Sequence, residues 1–169
     1  MITIREVRSE DAENLNELER ILPLESTFML VEPGERELTV DLQQKRIQDM
    51  LDSSNSTLFV AVAEDGRIVG QLGAMGGRAR RNKHCAALFI GILAEFQSQG
   101  VGTLLFEAVE KWALSVGLER LELTVMTHNE KGLGLYKKRG FVHEGTKRRT
   151  LKVNGHYVDE HMMGKLLTP

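Results

Sequence analysis

The residues Gln97-Ser98-Gln99-Gly100-Val101-Gly102-Thr103 carry the most legible chemistry in this chain. Their two glycines let the backbone turn tightly and let a ligand approach bare amides. The apolar run Ala86 to Leu93 precedes them and reads as a buried strand. Val101, Leu104, Leu105, Ala108, Trp112 and Val116 follow at helical spacing. A strand, a glycine turn and a helix N-terminus leave several N–H groups free and pointing one way, a ready site for phosphate oxygens. A P-loop needs Gly-Lys-Ser/Thr at the helix start, and Gly102-Thr103-Leu104 stands here instead. A dinucleotide fingerprint needs a third glycine, and Leu105 occupies that place. The pattern that fits is Gln-x-x-Gly-x-Gly after an apolar strand. Its plain alternative is a strand-to-helix turn that binds nothing.

The second informative stretch is Asn129-Glu130-Lys131-Gly132-Leu133-Gly134-Leu135-Tyr136, followed by Gly140-Phe141. Asn129 and Tyr136 are about two helical turns apart, which predicts one shared helix face. Taken together, in this order and with one crossover between them, the two stretches resemble the GCN5-related N-acetyltransferases, the GNAT family. The loop is similar to that family's acetyl-CoA pyrophosphate loop. The second stretch is similar to its pattern Asn-x-x-Ala-x-x-Leu-Tyr-x-x-x-Gly-Phe, with Gly132 where alanine is usual and a further glycine at Gly134. Glycine costs about 1 kcal/mol against alanine inside a helix, so a loose helix is expected there.

The resemblance implies acetyl-CoA as co-substrate and a central strand that splays from the strand beginning at Leu121. The pantetheine arm would lie in that gap and pair with the backbone at Ile90, Gly91 and Ile92. Gln97, Ser98, Gln99, Gly100, Val101, Gly102 and Thr103 would hold the pyrophosphate, with the helix dipole assisting. Asn129 would bond the pantetheine, and Tyr136 would protonate the departing thiolate. A phenol remains protonated at neutral pH, which suits a general acid. The other reading of Tyr136 is an amphipathic core tyrosine. Lys131 or Lys138 would meet the 3′-phosphate, the alternative being a solvated face.

The implied acceptor is a primary amine on a small molecule or a peptide N-terminus. Some family members carry a glutamate base on the strand after the crossover, where this chain has Thr124. Glu122 lies two residues earlier on the same strand face. His128 and a water chain are its alternatives. Tyr157, Asp159 and His161 alternate onto one face of the closing strand, and Val158, Glu160 and Met162 onto the other. One of these faces, and the segment Glu25 to Glu37, are the expected acceptor contacts. Cys85 has no evident base beside it, so transfer should be direct, without an acyl-enzyme. The rival reading is a degenerate acetyl-CoA-binding sensor, favoured by the missing glutamate and the glycines of the second stretch.

These residues need a frame. Ile2, Ile4 and Val7 alternate as a first strand. Ser9 to Asp11 is a cap signal for a helix through Ala12, Leu15, Leu18, Ile21 and Leu22, closed by Pro23. Residues 24 to 37 lack a period. A second helix spans Leu38 to Leu51, with Leu42, Ile47, Met50 and Leu51 inward. Asp65-Gly66 joins two strands as a hairpin. After the central strand, loop and helix come the strand Leu121 to Met126, a short helix from Asn129, and two closing strands about Asn154-Gly155. The expected fold is α/β (α+β): a GNAT-type mixed, mostly antiparallel sheet flanked by helices, with a splayed central strand pair. The first crossover is expected to be parallel and right-handed.

A chain of 169 residues with 41% apolar content suits one domain, residues 1–169. Its net charge of −2 and its basic clusters, which lack interleaved aromatics, argue against a nucleic-acid partner. The single cysteine rules out an intramolecular disulfide, and no Cys/His spacing suggests a metal. There is no apolar leader segment and no run long enough to span a bilayer, so a cytoplasmic protein without a membrane partner is expected. The family resemblance makes a homodimer plausible, with no interface marked in the sequence.

Overall fold

A computed structural model of the chain describes residues 1–167. The strands are β1 (Thr3–Glu6), β2 (Thr57–Val62), β3 (Ile68–Gly76), β4 (Cys85–Ile92), β5 (Arg120–Met126), β6 (Val142–Val153) and β7 (His156–Leu166). The helices are α1 (Ala12–Glu25), α2 (Val40–Asp52), α3 (Val101–Ser115) and α4 (Glu130–Lys138). One sheet runs in the order β1-β2-β3-β4-β5-β7-β6, antiparallel except for the β4–β5 pair. The mostly antiparallel, helix-flanked sheet expected from the sequence is therefore present.

Ladder partners project to the same face of a sheet, so a few contacts assign both faces. Gly91 lies against Leu22 of α1, and Arg46 of α2 lies over the Phe89 ring. On the other face, Ile92 approaches Gly102 of α3, and Lys165 Nζ donates to Glu110 of α3. The helices α1 and α2 thus cover one face, and α3 and α4 the other. No described helix is long and apolar enough to cross a membrane.

Several sequence expectations are corrected by packing. Helix α1 continues through Pro23 to Glu25, because a proline in the last turn keeps a helical φ and forfeits only one donor. Leu42 is exposed and Gln43 is fully buried in its place, its amide donating to Glu19 Oε2 while Arg46 donates to its carbonyl. That polar triangle turns α2 away from the phase its leucines suggest. Leu104 of α3 and Val116 just past its end are exposed, whereas Phe106 and Val109 face the core beside Val101 and Leu105. Residues 142–153 form one long strand, and its register against β7 shifts at His143/Gly145 and Lys147/Leu151.

Asp11 fastens the start of α1 to β1. Burial would raise its pKa, but two bonds from Arg5 and one from the Arg8 amide hold it below the usual carboxylate range. A depressed carboxyl contributes stability above its unfolded pKa of about 3.9, and loses it as pH falls through the lower folded value. We therefore expect Asp11→Asn to cost about 1.5–3 kcal/mol in urea melts at neutral pH. The difference from wild type should shrink on acidification below about pH 4.

Candidate active site

The sheet opens between its fourth and fifth strands. Only Cys85↔Arg120, Ala86↔Leu121 and Ala87↔Glu122 pair across them. Beyond that point β4 pairs with β3 alone and β5 with β7 alone. The alternation of an antiparallel ladder says which backbone groups face the opening. Leu93 N–H donates to Val69 O and Gly77 N–H to Cys85 O, so odd-numbered residues of β4 bond toward β3. The groups of Leu88, Ile90 and Ile92 then face the opening, and Ile92 O accepts from Gln97 Nε2 at 2.9 Å. On β5, Thr127 N–H donates to Asp159 O, which leaves the groups of Thr124 and Met126 facing the opening. Gly91 plays a different part from its neighbours. Its backbone faces β3, and a Cβ there would lie 2.6 Å from Leu22 Cδ1.

The loop after β4 presents bare amides. Ser98 and Gly100 both adopt positive φ, 59° and 84°, which turns the chain into α3. Among the described residues, the first amide of this turn to find an acceptor is Leu104, bonded to Gly100 O. The N–H groups of Ser98 through Thr103 donate to no protein atom among those residues. Gln97 ties the loop to Ile92 O, and Gln99 Nε2 ties it to Glu95 O. A Cβ at Gly102 would stand 2.8 Å from Leu135 Cδ2, so glycine here sets how closely α3 and α4 approach.

Asn129 is the N-cap of α4. Its Oδ1 accepts from the Gly132 amide at 3.0 Å, which leaves Nδ2 free to donate. A Cβ at Gly132 would lie 2.7 Å from that Nδ2, so this glycine accommodates the cap. Tyr136 is 7% exposed and its ring meets Phe106 and Phe141 edge-on, at 5.8 and 6.3 Å. Its ring is thus a core aromatic. Its hydroxyl bonds to no side chain or backbone group among the described residues, and burial pushes its pKa up to about 12.

On the α1/α2 side, the chain leaving α1 bridges the two arms of the opening. Glu25 Oε2 accepts from the Ala94 amide at 2.8 Å, beyond the β4 arm. The Met29 methyl lies near Gly91, and the Phe28 ring packs on His128, past the end of β5, at 5.0 Å. Glu122 and Thr124 point to this same side and both are exposed. Glu122 Oε2 accepts from Arg120 Nε at 3.0 Å, and Arg120 also binds Glu144. Lys131 and Lys138 are exposed.

Of the two closing-strand faces, the one with Val158, Glu160 and Met162 lies on the α1/α2 side, since Met162 pairs with Thr124. Tyr157, Asp159 and His161 face the other way. Asp159 there accepts from the Arg149 amide, and Thr146 Oγ1 links His161 to His143. Glu25 and Phe28 belong to the segment Glu25 to Glu37 that the sequence offers for acceptor contacts, but nothing marks them within it. An aperiodic segment carries no spacing that marks which residue will reach across a sheet.

Comparison with known proteins agrees with this geometry. Residues 18–141 match the model of the acetyltransferase (GNAT) family. The chain is 33% identical over 103 residues to the L-amino acid N-acetyltransferase AaaT of Escherichia coli (strain K12), a match covering 60% of this chain and 64% of that protein. Among solved structures it is similar to an acetyltransferase of the GNAT family from Streptococcus pneumoniae. The two share 32% identity at a TM-score of 0.94 over 99% of this chain and 100% of that one. A GNAT superfamily phosphinothricin acetyltransferase from Sinorhizobium meliloti, crystallised in complex with acetyl-CoA, has the same fold. Its identity is 18% and its TM-score 0.85, over 98% of this chain and 88% of that one. The match runs from within α1 to the end of α4 and takes in the open strand pair, the bare-amide loop and Tyr136; the chain belongs to the acetyltransferase (GNAT) family.

Proposed function

We propose that the chain is an acetyl-CoA-dependent N-acetyltransferase that passes acetyl directly to the primary amine of a small molecule or a peptide N-terminus. The observation that carries this reading is the row of free amides from Ser98 to Thr103 beside the open strand pair. The acetyl-CoA bound by the Sinorhizobium meliloti protein and the amino-acid substrate in the name of the Escherichia coli relative agree with it.

Bound acetyl-CoA would supply the thioester. The amides of Ser98 to Thr103, at the positive end of α3, would hold the pyrophosphate. Ile90 and Ile92 would pair with the pantetheine as an added strand, and Asn129 Nδ2 would donate to it. The loop lies on the α3 side and the bridge from Glu25 to Met29 on the other. The amine therefore approaches from the α1/α2 side, through the opening. Tyr136 would give its proton to sulfur as the carbon–sulfur bond breaks. Glu122, whose Oε1 is not taken by Arg120, would take the amine's proton through water.

Cys85 takes no part in this scheme. Burial, and after it the charge of Glu122, pushes its thiol up, away from the reactive thiolate. We expect Cys85→Ala to turn over at the wild-type rate; a large loss would replace direct transfer with an acyl-enzyme. The rival, a sensor that binds without turnover, draws on the engagement of Glu122 by Arg120. Calorimetric titration with acetyl-CoA, followed by a thiol-release assay over a panel of amines, decides between them. Binding with release supports the enzyme, binding without release the sensor, and no binding would undo both.

A further inference from the structure

Gly102, Phe106 and Glu110 recur at every fourth residue of α3 and form one stripe along it. Each meets the α4 segment. Leu135 approaches Gly102, the Tyr136 ring meets Phe106 at 5.8 Å, and Arg139 Nη2 donates to Glu110 Oε2 at 2.7 Å. The other oxygen of the same carboxylate is also in use. Glu110 Oε1 accepts from Lys165 Nζ of β7 at 3.0 Å, and Lys165 Nζ donates in turn to Arg139 O. A closed ring of bonds thus joins α3, the end of α4 and β7. Glu107 adds a second carboxylate 3.6 Å from Arg139 Nη1, but its side chain is 55% exposed against 13% for Glu110. Two cations therefore share one sheltered carboxylate. Arg139 Nε is buried and finds no acceptor among the described residues, so this guanidinium has no further acceptor to fall back on.

Resting on the reading of Tyr136 as proton donor in acetyl transfer, we infer that Glu110 is a positioning residue for that step. Through Arg139 and Lys165 it fixes where α4 sits along α3, and so where Tyr136 holds its hydroxyl. The helix cannot do this by itself. It is nine residues long with glycines at 132 and 134, and isolated helices shorter than about 12 residues are marginal in water. The aromatic contact of Tyr136 with Phe106 does not do it either. Burial of a ring is non-directional and tolerates sliding. Charge-assisted hydrogen bonds have set lengths and angles. Arg139 stands three residues after Tyr136, so a fixed guanidinium fixes the phenol one turn away. Removing the Glu110 charge leaves two partly buried cations facing one another, and their repulsion displaces the end of α4. The loop amides of Ser98 to Thr103 lie at the other end of α3, about two turns from Glu110, and are spared.

The test is a double-mutant cycle between Glu110→Gln and Tyr136→Phe, read by thiol release with an amine that the panel shows to be acetylated, and by calorimetric titration with acetyl-CoA. Glu110→Gln should lower kcat about tenfold with acetyl-CoA affinity within about twofold of wild type. In the Tyr136→Phe background the same change should cost less than about twofold, because the group it positions is already gone. A merely structural role would not produce that difference. Lys165→Met removes one arm of the ring and leaves the Glu110–Arg139 pair neutral. It should lower kcat about threefold, again only where Tyr136 is present, and it decides the matter if Glu110→Gln does not fold. Equal losses in both backgrounds, or wild-type kcat in the tested variants, would overturn the inference and leave the role of Tyr136 standing. Wild-type kcat in Tyr136→Phe alone, or no thiol release with any amine, would overturn that role and this inference with it.

Discussion

Tyr136→Phe should lower kcat by about 10²-fold or more and leave acetyl-CoA affinity near wild type. The phenol ring is packed between Phe106 and Phe141, and phenylalanine preserves those contacts. No protein group among the described residues shares a hydrogen bond with the hydroxyl, so its loss should not disturb α4. What it removes, in the proposed mechanism, is the proton for the departing sulfur. The same burial makes a prediction for pH. An ordinary phenol is half ionised near pH 10, whereas this one is pushed up to about 12 and keeps its proton. The wild-type kcat should therefore hold through pH 10. Stopped turnover in the phenylalanine variant with intact binding, measured by calorimetry and thiol release, is the expected pair of results. Wild-type kcat in that variant would leave Tyr136 as a core residue alone.

Gly102→Val should weaken acetyl-CoA binding by tenfold or more and lower stability by about 1–3 kcal/mol. The reason is the close approach of two helices. A Cβ at this position would stand 2.8 Å from Leu135 Cδ2 and 3.5 Å from Ile92 Cδ1. Relief requires α3 to move from α4, from the end of β4, or from both. Either shift moves the loop amides relative to the opening, and α4 carries Tyr136 one residue beyond Leu135. Adding Leu135→Ala should recover a measurable part of both losses, because the clash is with that side chain. If the double variant bound no better than Gly102→Val, the damage would lie in the loop backbone and not between the helices.

Much of the frame was legible because its signals are local. An apolar run, two glycines and a helix start fix the loop, and Gly140 with φ of 87° ends the α4 turn before Phe141 as the spacing required. The helix faces were less legible. Leu104, Val116 and Leu42 keep an apolar period, yet they sit outside because the phase of a helix is settled by what it packs on. For α2 that is a buried amide, Gln43, bonded to Glu19 and Arg46. Alternation separates the two faces of the closing strand, but which of them lies on the α1/α2 side depends on pairing with β5, many residues away. The capping role of Asn129 was legible too, because asparagine just before a helix favours that position.

A β-sheet passes order from strand to strand through its ladder, and this ladder nearly stops at its centre. With three residue pairs joining β4 to β5, the molecule holds two half-sheets, β1 to β4 and β5 with β7 and β6. Their open ends are coupled through the bridge from Glu25 to Phe28 and not through the sheet itself. A ligand arm lying between them would supply the interrupted course of hydrogen bonds and join both halves into a single cooperative unit. In that arrangement the co-substrate is also a structural member, and each turnover removes and replaces part of the protein's own framework.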